Sequence, residues 1–449
     1  MTMMPSSSSS SVLLAPTNTK VQNDAAIRYN NENTATSNTT PTQVPALCIV
    51  TGGTGFVGLR LVEMLVERGA QKVVSFDIVP PPKNAWQHPN IEYRIGDITD
   101  YTAIKDCIQE AIDSVDGDGG RNGNASCCVW HNAAAVGPFH PKQLYYKVNY
   151  EGTLNVIKAC KECKVHKVVM SSSPSTRFDG SDVDGLTEAE MPSLPLQNGY
   201  LQTYAETKAM GELVMLNEQD QKDDGLLTVA VAPHQVYGPR DNLFLPNLLE
   251  AAGNGKLRVF GNGWNEICFT HVDNYAHGLI IAERALYEGS PACGKFYIVT
   301  DGTTHPNGEQ YLIFWKILDE AIIAMNFTSL WSQIKLPKWL LFGLAGICEV
   351  LGKIFNTTFK LNYFNVLVLT MHRWFDIAAA EADLDFTPII DFREGWNDTI
   401  VWFRQNWLPN FHKTGSLIGL SSKTQEKIDI QEAGGGGSVS TSNATKKSQ

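Results

Sequence analysis

The amino-acid sequence predicts an α/β fold: a doubly wound parallel sheet followed by a smaller C-terminal part. Two observations support this prediction. Short apolar runs alternate with helical patterns from residue 46 onward, which is typical of consecutive strand–helix–strand units. The first apolar run leads directly into a glycine-rich turn, and an amphipathic helical pattern follows that turn. Together they place a parallel sheet at the start of the folded region.

The predicted strands are short and buried, and helical patterns fill the gaps between them. They comprise Ala46 to Val50, Lys72 to Phe76, Cys127 to His131, Lys167 to Met170 and Thr228 to Ala232. The helical patterns include Phe56 to Glu67 and Thr153 to Cys163. Residues 113–125 are rich in Gly and Asp, which predicts a surface loop.

Polar tails flank the folded region. We expect residues 1–45 to be a disordered polar tail and residues 413–449 to be a flexible one, because neither can bury enough apolar surface. Between them, residues 46–235 form the predicted nucleotide-binding core. Residues 236–412 form mainly a substrate-binding and lid region, with strands that return to the core. The composition of the first tail argues against a secretory signal or a transit peptide.

Composition limits the function further. The chain has 449 residues and a net charge of −11, which argues against a nucleic-acid partner. Its nine cysteines are irregularly spaced, which favours a reducing compartment. Cys160 and Cys163 form the one close pair. Because no second pair with zinc spacing accompanies it, we expect helix packing there and no metal site.

The glycine-rich turn predicts a dinucleotide site. Gly52, Gly55 and Gly58 follow the first strand, and Phe56 and Val57 begin the helix after it. The glycines permit a tight turn and a close approach to a pyrophosphate, and the helix directs free N–H groups at the anion. This is the Rossmann arrangement.

Acidic residues after the next two strands complete this prediction. Asp77 lies 19 residues past Gly58, where a carboxylate binds the ribose hydroxyls and repels a 2′-phosphate. The expected cofactor is therefore NAD. Asp97, followed by Ile98, is expected either to reach the adenine or to cap a turn.

The catalytic candidates are a tyrosine and a lysine one helical turn apart. Tyr204 and Lys208 share a helix face, and a nearby ammonium would lower the pKa of a phenol towards the working range. Tyr101 and Lys105 repeat the spacing but come too early in the chain. Of the serines at positions 171–173, which end a strand, Ser173 is our candidate for the hydroxyl that binds the substrate oxygen.

These motifs, in this order, resemble the extended short-chain dehydrogenase/reductases over most of residues 46–412. Further strings resemble the 3β-hydroxysteroid dehydrogenase branch, and within it the sterol-4α-carboxylate 3-dehydrogenases (decarboxylating), including the plant-type enzymes. They are Ser171-Ser172-Ser173-Pro174-Ser175, Phe178-Asp179-Gly180, Pro233-His234, Gly238-Pro239-Arg240-Asp241 and Phe269-Thr270-His271-Val272-Asp273-Asn274.

The resemblance implies a reaction: NAD-dependent oxidation of the 3β-hydroxyl of a 4α-carboxysterol, with loss of carbon dioxide, in sterol biosynthesis. Tyr204 would take the hydroxyl proton, Lys208 would tune Tyr204, and Ser173 would orient the oxygen. The resulting 3-keto acid loses carbon dioxide through an enol, so no metal is needed.

The resemblance also assigns further contacts. It places Ala133 and Pro233 beside the cofactor and His234 beside the substrate. Ala232 stands where relatives often carry Arg, which puts one substrate or cofactor contact in doubt. Asn149 matches a helix asparagine of the family, and we expect its role to be structural.

An apolar segment raises the question of a membrane. Segment 336–355 contains ten uncharged residues from Trp339 to Cys348, too few to span a bilayer. It is expected either to lie in the membrane interface or to close the substrate site as a lid or core helix. Lys446 and Lys447, near the end of the chain, resemble a dilysine retrieval signal, with a solvated basic tail as the alternative reading.

The expected location is therefore the cytosolic face of the endoplasmic-reticulum membrane, with the cytoplasm as the alternative. A homodimer or a sterol-demethylation complex is left open. Three other functions also stay open: a 3β-hydroxysteroid dehydrogenase/isomerase without decarboxylation, a nucleotide-sugar epimerase or dehydratase, and a non-catalytic NAD-sensing protein.

Overall fold

The fold is built on a parallel sheet of seven strands. The structure is a computed structural model that describes residues 44–116, 126–137, 140–221, 225–355, 359 and 361–411. The strands lie in the order β11-β7-β5-β4-β1-β2-β3. They are β1 (Leu47–Thr51), β2 (Lys72–Asp77), β3 (Ile91–Ile95), β4 (Cys127–His131), β5 (Lys167–Ser171), β7 (Leu227–Pro233) and β11 (Phe296–Val299).

Helices cover this sheet and continue into the C-terminal part. They are α1 (Phe56–Glu67), α2 (Tyr101–Asp116), α3 (Lys142–Tyr145), α4 (Thr153–Glu162), α5 (Thr203–Asn217), α6 (Leu245–Gly253), α7 (Val272–Arg284), α8 (Phe314–Ala324), α9 (Lys338–Phe355), α10 (Tyr363–Val368), α11 (Ala378–Leu384) and α12 (Phe392–Trp402). Helix α1 packs against α7, and α2 packs against α4. A π-helical turn, Tyr146–Gly152, joins α3 to α4.

The strand order reverses between β1 and β4, which are parallel neighbours in the sheet. Leu47 is paired with Lys72 of β2 on one side and with Cys127 of β4 on the other. In an open parallel sheet, such a reversal leaves a crevice beyond the carboxyl ends of the two strands, where ligands bind. The predicted doubly wound sheet is therefore confirmed, and the crevice lies at the glycine-rich turn.

Two smaller sheets accompany the C-terminal part. The four-stranded sheet has the order β12-β9-β13-β6, and the two-stranded one pairs β10 with β8. Their strands are β6 (Val183–Leu186), β8 (Val236–Tyr237), β9 (Glu266–Ile267), β10 (Thr270–His271), β12 (Leu312–Ile313) and β13 (Arg373–Phe375). Strand β11 returns from this part to the edge of the large sheet.

The two parts have different cores. The sheet core is aliphatic, and its strand residues Ile49, Val129 and Val169 are fully buried. The core of the C-terminal part is aromatic: Tyr237 and Trp396 lie edge to face with ring centroids 5.4 Å apart. Aromatic pairs of this geometry contribute about 0.5–1.5 kcal/mol beyond the area that they bury.

Several of the sequence motifs that resemble the family connect these two parts. Asp301 accepts hydrogen bonds from the His271 backbone N–H at 2.7 Å and from the Tyr237 hydroxyl at 2.8 Å. Arg240 forms a two-pronged ion pair with Glu63 of α1, with N–O distances of 2.7 and 2.8 Å. These contacts fix the C-terminal part against the sheet and its helices.

Two expectations need correction or fall outside the description. Helix α2 continues to Asp116, so the start of the loop predicted for residues 113–125 is helical; residues 117–125 lie outside the described part. Nearly all of both predicted tails lies outside it too. Cys160 and Cys163 are both buried, one within α4 and one directly after it.

Asn274 offers a test of these contacts between the two parts. Its fully buried amide donates to Asp301 and to the Ile390 carbonyl, both at 2.8 Å, and accepts from the Ile389 N–H at 2.8 Å. Asn274→Ala leaves these groups unpaired, so we predict a loss of about 3 kcal/mol or more in the free energy of unfolding. Urea denaturation measures it.

The control for this experiment is another asparagine that contacts backbone but lies at the surface. Asn406 is exposed and donates to the Trp402 carbonyl at 3.0 Å. Asn406→Ala should change the free energy of unfolding by no more than about 0.5 kcal/mol. Equal losses in the two variants would contradict the role given to Asn274.

Candidate active site

The glycine turn closes tightly on its surroundings. Gly52 has a φ of +69°, and its N–H donates to the Phe76 carbonyl at 2.8 Å. A Cβ on Gly52 would lie 2.7 Å from the Cα of Ala133, which follows β4. Only glycine meets both conditions, because other residues are strained at this φ and would also collide with the neighbouring strand.

The start of α1 lies directly on this turn. A Cβ on Gly58 would lie 2.8 Å from the Gly53 Cα, so only glycine lets the helix approach so closely. Gly55 is the N-cap and no side chain caps the helix, which begins with Phe56 and Val57. Its first backbone N–H groups therefore suit an anion such as a pyrophosphate.

Asp77 is held at the end of β2 by two backbone groups. One of its carboxylate oxygens accepts from the Thr54 N–H at 3.0 Å, and the other accepts from the Val79 N–H at 3.2 Å. The carboxylate is thus fixed beside the glycine turn. This is the position at which a ribose of a dinucleotide would meet it.

Asp97 and Ile98 have mainly local roles in this structure. Asp97 accepts from the Thr99 N–H at 2.8 Å, so it caps the turn after β3. The Ile98 side chain is buried in the sheet core, and its carbonyl accepts from the Asn155 amide at 3.0 Å. Contact of either residue with the adenine stays a prediction.

A buried polar chain beneath the turn was not predicted. The His131 ring bonds the Thr51 hydroxyl through Nδ1 and the Thr153 hydroxyl through Nε2, both at 2.9 Å. The Ala133 N–H donates to the Thr51 hydroxyl at 3.2 Å. Burial, then the charge of Lys208, lowers the pKa of His131 to about 3, so the ring is neutral. It holds the ends of β1 and β4 together.

The three serines after β5 have three different partners. The Ser171 hydroxyl bonds the Tyr275 hydroxyl at 2.7 Å, and the Ser172 hydroxyl donates to the Glu212 carboxylate. Ser173 bonds the Ser175 hydroxyl at 2.8 Å and also bonds Tyr204. Of the three, Ser173 is thus the one whose hydroxyl meets the candidate proton acceptor.

Tyr204 lies in the first turn of α5 and is partly buried. Its ring meets the edge of Tyr145, with centroids 6.2 Å apart. Burial raises the pKa of Tyr204 to about 12, while the hydrogen bond with Ser173 acts in the opposite direction. The lowered phenol pKa that the sequence predicts is therefore wrong for this structure.

The position of Lys208 explains this difference. Its ammonium is almost fully buried and donates to the Ser171 carbonyl at 2.7 Å. Burial lowers the pKa of Lys208 to about 8, and the charge of Glu212 partly opposes this. The ammonium is engaged by the strand end, so its effect on Tyr204 does not offset burial.

Glu212 is a further residue of this site that was not predicted. Its carboxylate is fully buried, and it forms an ion pair with Arg177 at 2.6 Å. It also accepts from the Thr176 hydroxyl at 3.3 Å, besides Ser172. Glu212 thereby fixes the serine turn against α5. Its spacing from Lys208, one further helical turn, was the available signal.

Asn149 ties the loop after β4 to the catalytic helix. Its side-chain oxygen accepts from the Ala135 N–H at 2.8 Å, and its amide donates to the Thr207 hydroxyl at 3.3 Å. Asn149 lies in the π-helical turn before α4. The contacts agree with the structural role expected for it.

Pro233 and His234 end β7, the neighbour of β5. His234 is buried, and its Nδ1 lies 3.0 Å from the Cys268 carbonyl. Burial, then the charge of Arg373, lowers the pKa of His234 to about 3. Ala232, one residue before Pro233, is buried in the sheet. The cofactor contact of Pro233 and the substrate contact of His234 stay predictions.

Comparison with known families decides the class of protein. Residues 49–321 match the 3-beta hydroxysteroid dehydrogenase/isomerase family. The chain belongs to this family. The matched region contains the glycine turn, Asp77, Ser173, Tyr204 and Lys208.

Individual curated proteins are similar to this chain over most of its length. The chain is 30% identical to the human sterol-4-alpha-carboxylate 3-dehydrogenase, decarboxylating, over 80% of this chain and 88% of the relative. It is 31% identical to an Arabidopsis thaliana 3beta-hydroxysteroid-dehydrogenase/decarboxylase, over 87% of each. A 2-alkyl-3-oxoalkanoate reductase of Stenotrophomonas maltophilia is 29% identical, over 77% of this chain and 96% of the relative.

Solved structures share the fold at lower identity. An epimerase from Methanothermobacter thermautotrophicus superposes with a TM-score of 0.58 at 21% identity, over 82% of this chain and 95% of its own. The Thermotoga maritima UDP-glucose 4-epimerase gives 0.58 at 18% identity, over 80% and 99%. The extended dehydrogenase/reductase fold is thus confirmed. Family membership confirms an NAD-dependent oxidoreductase.

The Ser173–Tyr204 hydrogen bond gives a pH prediction. Because this bond acts to lower the pKa of Tyr204, Ser173→Ala should raise that pKa further. Oxidation needs the phenolate, so the rising limb of the kcat–pH profile should move to higher pH. We expect kcat at pH 7 to fall by about 10²-fold. Steady-state NADH formation across pH 6–10 measures both effects.

Ser332→Ala is a suitable control, since the Ser332 hydroxyl is exposed and donates only locally, to the Ser329 carbonyl at 2.7 Å. It should leave the profile in place. A Ser173→Ala profile that keeps its limb at the wild-type pH would remove Ser173 from the catalytic group.

Proposed function

We propose that the protein oxidises the 3β-hydroxyl of a 4α-carboxysterol with NAD⁺ and that the product loses carbon dioxide, giving a 3-ketosteroid in sterol biosynthesis. The observation that supports this most strongly is the juxtaposition of Ser173 with Tyr204 at the edge of the parallel sheet where the glycine turn also lies. The curated relatives of human and Arabidopsis origin point to the same substrate class.

The substrates named for two of the relatives share one structural feature. A sterol-4α-carboxylate carries its carboxylate on the carbon next to the hydroxyl that is oxidised. A 2-alkyl-3-oxoalkanoate carries its carboxylate on the carbon next to the ketone. We therefore take a carboxylate on the carbon next to the reacting one as the recognition element for this chain, attached to an apolar body.

Each catalytic residue then has a defined task. The Ser173 hydroxyl donates to the substrate oxygen, and the substrate hydroxyl donates its one proton to the Tyr204 phenolate, to which that proton passes as the carbonyl forms. Lys208, held on the Ser171 carbonyl, keeps positive charge beside that proton path. Gly52, Gly58 and Asp77 would hold NAD⁺, which would supply the hydride acceptor for the carbinol carbon.

Loss of carbon dioxide follows from the product's own chemistry. In the 3-keto acid, the bond between the ring carbon and the carboxylate breaks, and its electron pair moves into the enolate of the new ketone. Ser173 and Tyr204, which now carries the proton, are placed to hydrogen-bond that oxygen. Protonation of the ring carbon then completes the 3-ketosteroid.

Substrate choice is tested by comparing ligands on one preparation. The wild-type protein should form NADH with a 4α-carboxysterol, release one carbon dioxide per NADH, and be inactive with UDP-glucose. Tyr204→Phe should lower kcat by about 10³-fold, since the phenyl ring takes no proton, and should bind NAD unchanged. NADH absorbance and ¹³C-labelled carbon dioxide are followed together.

Three results would contradict this assignment. Turnover of UDP-glucose with none of the sterol would make the protein a sugar-nucleotide enzyme on the same fold. Full activity of Tyr204→Phe would remove the assigned proton acceptor. NADH formation without release of carbon dioxide would indicate a 3β-hydroxysteroid dehydrogenase/isomerase without decarboxylation.

We also propose that the protein works at a membrane surface, on the cytosolic face of the endoplasmic reticulum. Helix α9 supports this, since only Leu341, Ala345 and Gly352 of its eighteen residues are buried. Its exposed side chains are mostly apolar and include Trp339 (76% exposed), Ile347 (58%), Val350 (58%), Ile354 (67%) and Phe355 (67%). Among the described residues, no helix is long and apolar enough to cross a bilayer.

Helix α9 is connected to the active site through α10. Phe342 of α9 contacts Tyr363 of α10, with ring centroids 4.9 Å apart. Phe364 of α10 meets Phe178 at 6.4 Å, and Phe178 follows the serine turn. A sterol leaving the bilayer at α9 would therefore be near the substrate site. A homodimer or a sterol-demethylation complex as partner stays a prediction.

Vesicle binding tests the membrane contact. The wild-type protein should float with phosphatidylcholine–phosphatidylserine vesicles, and the double variant Ile347→Glu with Ile354→Glu should remain in the soluble fraction, because two charges would enter the apolar interface. Tyr287→Glu, a change at a side chain that is 57% exposed elsewhere on the surface, should still float. The activity of the double variant on detergent-dispersed sterol should match that of the wild type. Flotation of the double variant would contradict the proposed contact of α9 with the membrane.

A further inference from the structure

An open cleft in the C-terminal part is lined by two tryptophans, a lysine and an aspartate. Its volume is about 360 Å³, and its walls are formed by Trp264, Lys316, Asp319 and Trp331. The two tryptophan rings meet edge to face, with centroids 5.9 Å apart. None of the four side chains contributes to the proposed reaction, so the chemistry of the cleft itself must indicate its ligand.

Two ammonium groups lie on these rings. The Nζ of Lys316 is 4.2 Å from the centroid of the Trp264 ring, and the Nζ of Lys335 is 4.1 Å from that of Trp331. Lys335 also donates to the Asn262 carbonyl at 3.3 Å. In the part of the chain that the structure describes, neither lysine forms an ion pair. Cation–π contacts thus hold both charges in place, while each ammonium keeps at least two N–H donors for a ligand.

The carboxylate of the cleft is already used within the fold. Asp319 is 6% exposed, and its two oxygens accept from the Leu330 N–H at 2.6 Å and from the Ser329 hydroxyl at 2.8 Å. These bonds fix the turn at residues 329–332 against α8. Two positioned cations therefore face one carboxylate that is already hydrogen-bonded, and an anion complements them.

The cleft is continuous with the start of α9. The Leu336 N–H donates to the Val259 carbonyl at 2.9 Å, and the Gly261 N–H donates to the Leu336 carbonyl at 2.8 Å. Lys338, the first residue of α9, packs on the same loop, since a Cβ on Gly261 would lie 3.2 Å from the Lys338 Cγ. The cleft and the exposed apolar helix are therefore parts of one surface.

Apolar side chains project next to the lysines of this surface. Ile334 is 80% exposed and precedes Lys335, and the exposed Trp339 follows Lys338. Tryptophans and lysines beside an exposed apolar helix are typical of a protein surface at the headgroup level of a bilayer. The anion that fits the cleft is therefore expected on a lipid.

We propose that this cleft binds the phosphate group of an anionic phospholipid and so anchors the start of α9 in the headgroup layer. This inference rests on the membrane contact proposed above and adds to it the lipid class that is recognised. The phosphate oxygens accept from the ammonium groups of Lys316 and Lys335. A choline group fits less well, because the chain's own cations already occupy an aromatic face of each tryptophan and like charges repel.

Vesicles of two compositions test this on the full-length protein. The wild type should bind phosphatidylcholine–phosphatidylserine vesicles more tightly than vesicles of phosphatidylcholine alone. Lys316→Gln should lower the affinity for the mixed vesicles by about 5-fold, and Lys316→Gln with Lys335→Gln by about 25-fold, since each lysine at an anionic surface contributes about 1 kcal/mol. The affinity of both variants for phosphatidylcholine alone should match that of the wild type. Cosedimentation with sucrose-loaded vesicles gives each affinity.

Two matched variants serve as controls. Lys316→Arg keeps the charge in the cleft and should keep the preference for the mixed vesicles. Lys164→Gln removes an equal charge from an exposed side chain between α4 and β5, and it should change neither affinity. An equal loss in Lys164→Gln would reduce the effect to the net charge of the chain and overturn the site. Wild-type affinity of the double lysine variant for the mixed vesicles would also overturn it.

The outcomes also separate this inference from the membrane contact on which it rests. A wild type that binds neither kind of vesicle contradicts that contact and overturns the inference with it. A wild type that binds both kinds equally, while Ile347→Glu with Ile354→Glu binds neither, keeps the contact and overturns the inference alone. Loss confined to the mixed vesicles in the lysine variants supports both. Sterol turnover enters none of these readouts, so failure of the proposed reaction is detected independently.

Discussion

The contact between the start of α1 and the glycine turn is the constraint on which the site depends. Gly58 approaches the turn so closely that any side chain there would meet the backbone of Gly52 and Gly53. This approach aims the uncapped end of α1 at the crevice between β1 and β4. Asp77, the serine turn and α5 all adjoin that crevice, because the carboxyl ends of the parallel strands lie at the same edge of the sheet.

Burial dominates the electrostatics around that crevice. It raises the pKa of Tyr204 to about 12, lowers that of Lys208 to about 8 and keeps His131 neutral. Ordered hydrogen bonds then compensate individual groups: Lys208 is held by a backbone carbonyl, and Glu212 by Arg177 and two hydroxyls. Arg373 departs from this pattern, because its Nε is buried without a hydrogen bond within the described part of the chain.

Much of the sheet could be predicted because period and composition determine it locally. The apolar runs at β1, β2, β4, β5 and β7 are each bounded by turns or helical patterns, and the structure has strands in all five places. Gly52 and Gly58 were recognisable because the turn needs a positive φ at one and close packing at the other. Each of these requirements can be recognised from a single residue in the sequence.

Other features depend on contacts between distant segments, which no single stretch encodes. The pairing of His131 with Thr51 and Thr153 joins positions up to 80 apart, and β13 reaches β6 across almost two hundred residues. The pKa of Tyr204 was predicted in the wrong direction because the sequence shows its spacing to Lys208 but shows neither the burial nor the carbonyl that holds the lysine.

The most direct measurement of the central claim is the affinity of Gly58→Ala for NAD, by isothermal titration calorimetry. Gly58→Ala should bind NAD about 100-fold more weakly than the wild type or worse, because α1 can no longer reach the turn that receives the pyrophosphate. Gly343→Ala, at a glycine with open space around it, should bind NAD as the wild type does. Wild-type affinity in a folded Gly58→Ala protein would show that the dinucleotide does not rest on this turn.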